Sequence, residues 1–376
     1  MAVKIEKKIK GYSVVQPGQQ EHAPSNFVTD ESDRRMRLET VQEPLENSLR
    51  WEHRPRIDEG NPAQVFNIIG PEHKFFVIVG FVRNGQPGIG YPFEVLVSGE
   101  APRGLHALAK SLSLDMRSRD RRWLKTKLES ISKTDGAPFD MVMPDGSTVV
   151  MPSEVAAFAR LVHYQCEQLG AFDETNMVET PLMNALISKR RPKTTSEGTV
   201  ARCWDVENPN TGDKFKVFVP ELQLPDGSLR PFELWFDGKY PRQSFTGLAK
   251  CLSLDMQVND LGWVARKLRQ LKSLKEPQGE FWAQVPGSEK SKVYPSTIAY
   301  VAELLLFHFS RLHLLDAFGA STKSTVVSIS RETTPQARQD SKPLGSLDCP
   351  ECKSRQSVVV ISGCESCTSC SWSRCG

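Results

Sequence analysis

One block of sequence occurs twice in this chain, and that repeat constrains the fold more than any other feature. Pro92-Phe-Glu-Val, Gly99, Pro102-Arg103, Leu108-Ala-Lys110-Ser-Leu-Ser-Leu-Asp-Met116, Trp123 and Lys127-Leu128 return as Pro231-Phe-Glu-Leu, Gly238, Pro241-Arg242, Leu248-Ala-Lys250-Cys-Leu-Ser-Leu-Asp-Met256, Trp263 and Lys267-Leu268. The match extends upstream, Lys74-Phe75 with Lys214-Phe215, and downstream, Met151-Pro-Ser-Glu with Tyr294-Pro-Ser-Thr. Two copies are too few for a solenoid, so the repeat reads as a duplicated domain.

Each copy carries the same signals in the same order. Phe75–Val82 and Phe93–Val97 are β-prone runs around Asn84-Gly85, which predicts a hairpin; Phe215–Val219 and Phe232–Phe236 do the same around Pro225-Asp-Gly227. Helices are predicted over Gly104–Leu114 and Gln243–Leu254, broken by Asp115 and Asp255, then over Trp123–Ile131 and Leu261–Leu271. A short hairpin around Pro144-Asp-Gly146 follows. Ser153 and Ser296 are N-cap candidates for closing helices that run to about Leu169 and Leu314. The expected fold is α+β: two tandem modules of antiparallel sheet packed with helices, plus a terminal ribbon on a tether.

The expected organisation is an extended arm over 1–61, a first module over 62–175, a linker over 176–196 and a second module over 197–318. A flexible tether over 319–348 and a Cys-rich tail over 349–376 complete it. The linker holds the basic run Lys189–Lys193, read as a solvated joint, with phosphate contact as the alternative. In Ser321–Ser346, ten of 26 residues are Ser or Thr and none is aromatic, so the segment buries too little to offset its ordering entropy. With 376 residues and a formal charge of +3, the chain lacks the Lys/Arg excess of a protein built to grip nucleic acid. No apolar run is long enough for a bilayer, and the start has no secretory apolar core. A cytoplasmic protein without membrane partners is expected.

Of nine cysteines, Cys166, Cys203 and Cys251 are scattered, and six lie in the last 28 residues: Cys349, Cys352, Cys364, Cys367, Cys370 and Cys375. Such clustering reads as metal or redox chemistry rather than a disulfide scaffold. Two Cys-x-x-Cys pairs around the β-prone Val358–Ile361 fit a zinc ribbon, in which paired thiolates close a tetrahedral site and metal binding supplies the folding energy. One register takes Cys349, Cys352, Cys364 and Cys367 as ligands and leaves Cys370 and Cys375. The other takes Cys349, Cys352, Cys367 and Cys370. The first leaves a Cys-x4-Cys pair able to close a small disulfide ring, with Arg374 favouring the thiolate. A tether of this length has an r.m.s. span on the order of 30 Å.

The tail, Cys349-Pro-Glu-Cys352 with Gly363-Cys-x-x-Cys-x-x-Cys-Ser-Trp-Ser-Arg-Cys375-Gly376, resembles the C-terminal end of adenosylcobalamin-dependent (class II) ribonucleotide reductases. The repeated block resembles the TSCPD module that precedes that tail. The start, Val3-Lys-Ile-Glu-Lys-Lys-Ile-Lys-Gly-Tyr-Ser-Val-Val15, resembles the smaller, accessory subunit of the split form. The chain departs from the family at Ser371-Trp-Ser-Arg374, where Gly-Tyr-Ser-Lys is common; the aromatic and cationic characters are kept. The resemblance implies that Cys370 and Cys375 are a redox pair that re-reduces the active-site disulfide of a large catalytic subunit, with thioredoxin or glutaredoxin as reductant. It implies zinc in this chain and adenosylcobalamin on the partner. The chain would then be a subunit of a ribonucleoside-diphosphate reductase, inactive alone.

The catalytic half is not in the sequence. There is no Asn-x-Cys-x-Glu radical loop, no Asp-x-His-x-x-Gly motif and no Gly-x4-Gly-Lys loop. Cys251 stands where copy one has Ser111 and reads as a packing residue. His163, His308 and His313 lie among apolar neighbours on the closing helices and read as core or face residues rather than ligands. Asp115 and Asp255 read as capping or junction residues, and Trp123 and Trp263 as core aromatics of the repeat. The rival reading is a zinc-ribbon adaptor or nucleic-acid-binding module without a catalytic role.

Overall fold

The computed structural model describes residues 49–51, 53–83, 90–174, 198–223, 229–257 and 261–315, together with short strands at 27–28, 37–38, 358–361 and 364–367. The Asn84-Gly85 and Pro225-Asp-Gly227 turns, the linker run Lys189–Lys193 and the tether Ser321–Ser346 lie outside the described residues. So do Cys349, Cys352, Cys370 and Cys375. The chain divides into two compact units, Met1–Arg331 and Glu332–Gly376.

In the first unit, β1 (Phe27–Val28) and β2 (Arg37–Leu38) form a two-residue antiparallel pair. The first repeat then builds a three-stranded antiparallel sheet from β3 (Ala63–Ile69), β4 (Lys74–Arg83) and β5 (Gly90–Glu100), in that order. Helices α1 (Leu105–Arg117) and α2 (Arg121–Ile131) follow, then the hairpin β6 (Phe139–Val142) and β7 (Thr148–Met151), then α3 (Glu154–Gln168). The second repeat returns the same succession. It has β8 (Ala201–Asn208), β9 (Asp213–Gln223), β10 (Leu229–Pro231) and β11 (Trp235–Lys239). Next come α4 (Arg242–Met256), α5 (Leu261–Leu271), β12 (Phe281–Gln284), β13 (Ser291–Tyr294) and α6 (Thr297–Arg311). Here β10 and β11 both pair with β9 and together take the place of β5.

The inner face of each sheet is apolar because alternate residues share a face. Phe75, Val77 and Val79 on β4 and Phe93, Val95 and Val97 on β5 are buried against α1 and α3; Phe215, Val217 and Val219 do the same in the second half. On α1, Leu105, Leu108 and Leu112 supply the helical stripe, and each fully buried Leu contributes about 1.5–3 kcal/mol. Asp120 caps α2 by accepting the Trp123 amide at 2.9 Å. Ser153 and Ser296 cap α3 and α6 by accepting the Ala156 and Ala299 amides at 3.0 and 3.1 Å.

Three expectations change. Strands β3 and β8 extend the predicted two-stranded hairpins. The helices end within two residues of Asp115 and Asp255, at Arg117 in α1 and Met256 in α4, but the two carboxylates are not caps: both pair with buried lysines. The arm over 1–61 is not wholly extended chain standing off the module: its end lies against the first repeat. Arg50 and Trp51 donate their amides to the Arg117 carbonyl, Trp51 packs edge-on to Tyr91 and Phe93, and Arg54 grips Glu94.

Candidate functional site

The tail is described only as backbone. Strand β14 (Val358–Ile361) pairs antiparallel with β15 (Cys364–Cys367), setting Ile361 opposite Cys364 and Val358 opposite Cys367. A hairpin of this kind is the frame of a zinc ribbon, and six thiols in one segment suit a tetrahedral thiolate site.

Among the described residues of the first unit, one buried polar constellation stands out. Asp115, near the end of α1, and Lys127, in the middle of α2, meet Asp255 near the end of α4 and Lys267 in α5. All four side chains are fully buried. Within the repeats, the Lys127 ammonium lies 3.0 Å from both Asp115 oxygens, and that of Lys267 2.9 Å from Asp255. Across the repeats, Lys127 reaches Asp255 at 2.5 Å and Lys267 reaches Asp115 at 2.6 and 2.7 Å. The two aspartates stand 140 residues apart in sequence, as do the two lysines. Each contact thus has its exchanged counterpart, which is the rule of a two-fold, isologous interface.

Ser111 and Cys251 confirm that axis. They occupy equivalent positions, and their Oγ and Sγ atoms lie 3.4 Å apart. Equivalent residues touch only where the axis passes between them. Beneath the ions lie the indoles of Trp123 and Trp263, their ring centres 4.7 and 5.6 Å from the Lys127 and Lys267 ammonium groups, an attraction that strengthens away from water. Both indoles are fully buried, so neither offers a surface to a partner.

Electrostatics follow from this packing. Burial pushes the Asp115 carboxyl up, but Lys127 and Lys267 outweigh it and hold the group below the usual carboxylate range. At Asp255, which makes fewer contacts, burial wins and the pKa rises. Burial lowers the Lys267 pKa, and the two aspartates more than restore it. Cys251 is pushed up by burial and is held as a thiol. Because none of these atoms reaches solvent, the quartet cannot exchange protons with an external substrate; it holds the two repeats together.

The other expected positions are structural as well. Cys166 is buried, its thiol pushed up to about 12, while Cys203 is exposed on β8. His163 lies 3.5 Å from Glu167 and stacks at 4.9 Å on Phe172. His308 is buried edge-on to Trp204, 2.9 Å from Glu221, with its pKa lowered to about 4 by burial and by Arg202 and Arg311. His313 lies just past α6, at a positive φ of 54°.

One further cluster has no signal in the sequence: Glu72, His73 and Glu154 gather donor atoms within 4.8 Å of one another. Glu154, buried at the start of α3, accepts the Glu72 and His73 amides at 3.0 and 2.8 Å, and its second oxygen meets His73 Nδ1 at 2.7 Å. Gly70 leaves room for this clamp, since a Cβ there would stand 2.2 Å from the carboxylate oxygen. The carboxylate is spent on fastening the β3–β4 turn to α3.

No protein-family model, no curated protein and no solved structure matches the chain. Among the described residues, no helix is long and apolar enough to cross a membrane.

Proposed function

We propose that the chain is the accessory subunit of a split adenosylcobalamin-dependent ribonucleotide reductase, and that it relays electrons to the catalytic subunit. The observation that carries the reading is the Cys-x4-Cys pair, Cys370 and Cys375, beyond the four thiolates that a tetrahedral zinc takes. Cys349, Cys352, Cys364 and Cys367 would hold the zinc, which supplies folding energy to the ribbon. One thiolate of the Cys370/Cys375 pair attacks the partner's active-site disulfide, forming a mixed disulfide and releasing one partner thiol. The second thiolate displaces the other. The partner ends as a dithiol and this chain as a Cys370–Cys375 disulfide, which thioredoxin or glutaredoxin then reduces.

The paired repeats would be the docking body. On the outer face of the first sheet, Val65, Ile78 and Leu96 form a row in register; Cys203, Phe218 and Trp235 form its counterpart on the second. Val65, Leu96 and Trp235 are 51%, 46% and 42% exposed, apolar side chains where a solvated face would carry polar ones.

The test uses the full chain with its catalytic partner. Cys375→Ser spares all four ligands of the first register, so a single-turnover burst is expected to persist while thioredoxin-driven multiple turnover is lost. A small dithiol able to enter the active site should partly rescue it. Normal turnover by Cys375→Ser would refute the relay and favour the adaptor reading.

A further inference from the structure

Each sheet has one edge that a helix covers. Along β5 the Val95 amide donates to the Ser113 hydroxyl of α1 at 3.0 Å, and in the second repeat the Leu234 amide donates to that of Ser253 on α4, also at 3.0 Å. The opposite edges are β3 and β8. Among the described residues each pairs with a single strand, β3 with β4 and β8 with β9. On the outward side of such a strand, alternate N–H and C=O groups await a partner.

The duplication provides its own comparison of the two edges. By their registers with β4 and β9, Ala63–Ile69 corresponds to residues 201–207. On β8 the exposed positions include Asp205 and Glu207, which meet Lys216 and Lys214 across the ladder at 2.5 and 3.4 Å. Charges of this kind deter an incoming strand. On β3 the same positions are Asn67 and Ile69, and Ala63–Ile69 contains no charged residue, proline or glycine. The strand is nonetheless open to solvent: Ala63, Gln64, Val65, Asn67 and Ile69 are all exposed, Ile69 at 61%.

We propose that β3 is a dimerisation edge, pairing antiparallel with β3 of a second copy of this chain across a two-fold axis. The joined sheet then has six strands, in the order β5-β4-β3-β3-β4-β5. Three features select a second copy as the occupant. A two-fold axis sets equivalent edges antiparallel, so the outward N–H and C=O groups of the two copies supply each other's partners. With no charge between Ala63 and Ile69, self-pairing sets no like charges opposite one another, and nothing on the strand selects a charged partner. The exposed Val65, Ile69 and Phe76 share one face of the sheet, because Asn67 lies opposite Phe76, so pairing lets each copy cover part of the other's apolar surface. The contact uses the sheet edge and no tail cysteine, so its failure would leave the proposed relay untouched.

Sedimentation equilibrium of the full chain tests it, under reducing conditions so that no disulfide links two chains. The mass should rise with concentration from that of one chain toward that of two. Asn67→Asp combined with Ile69→Glu gives β3 the acidic residues that β8 carries. Lys74 stands opposite position 69 as Lys214 stands opposite Glu207, so the repeat should still fold. The dimer's dissociation constant should rise about tenfold or more. Hydrogen exchange locates the contact: alternate amides of Ala63–Ile69 should gain protection with rising concentration in the wild type and not in the double variant. If the double variant loses its cooperative urea transition, Asn67→Lys, a single change at an exposed polar position, decides in its place. A wild-type chain that stays at the mass of one copy at about 100 μM, or a dimer that the folded variant leaves as tight as before, would overturn the proposal.

Discussion

At the residue scale, the fully buried quartet of Asp115, Lys127, Asp255 and Lys267 is costly to disturb. Four ions removed from water are tolerated because each sign meets its opposite twice, with hydrogen bonds completing the contacts. Lys127→Met leaves two buried carboxylates to share one ammonium group. The expected loss is about 3–5 kcal/mol, read as a lower urea midpoint, with Asp255 taking up a proton. Exchanging all four for apolar residues of similar volume should recover most of that loss, since no charge is then left unpaired. A midpoint for Lys127→Met within error of wild type would show that the ions do not hold the interface. The sequence displayed the four residues as repeated positions, but a repeat says that two copies share a fold, not that they face one another. An Asp late in a helix reads as a terminator because its short side chain competes for backbone donors; the helices do end within two residues, but only the lysine 12 residues later shows where each carboxylate goes.

At the element scale, the strongest sequence signals were those with a local cause. Ser153 and Ser296 were legible as caps because a cap is a contact three residues long. Each hydroxyl does more than the pattern indicated, also donating to the preceding segment: Ser153 to the Thr134 carbonyl at 2.6 Å, Ser296 to that of Leu274 at 2.8 Å. Ser153→Ala and Ser296→Ala should therefore each cost about 1–2 kcal/mol, toward the upper end for a cap, and by similar amounts. Urea unfolding of the two single variants measures this, and losses of a few tenths would show that neither cap matters. Strand β3 was not legible, and burial explains why: along Ala63–Ile69 only Ile68 is buried, so the strand lacks an alternating pattern. It is held by its ladder to β4, with Ile68 in the core and Phe66 packed against it. Strand β8 does alternate in burial, with Arg202 and Trp204 partly and Val206 and Asn208 fully buried, but two of those four inward positions are polar, so its sequence carries a weak apolar signal.

At the scale of the whole molecule, the two hydrophobic cores found among the described residues draw on side chains between Ile68 and Leu315. The tail segment is a different kind of folding problem, because a stretch of this size is too short to bury a core of its own and the proposed zinc would supply its folding energy. The sequence made the cysteine pattern plain and left the register open, since two pairs of thiols at equal spacing compete for the same place. Metal content separates them. Purified under reducing conditions, the chain should carry one zinc, and Cys349→Ser combined with Cys352→Ser should abolish it in either register. Cys364→Ser removes zinc only if Cys364 and Cys367 are the second pair of ligands; Cys370→Ser removes it only if Cys367 and Cys370 are. Cys375 is a ligand in neither, so Cys375→Ser should keep the metal throughout. Loss of zinc with Cys364→Ser and retention with Cys370→Ser would leave Cys370 and Cys375 as the surplus pair on which the relay depends. The opposite result would transfer that role to Cys364 and Cys375, and no zinc in the wild-type chain would dispose of the ribbon altogether.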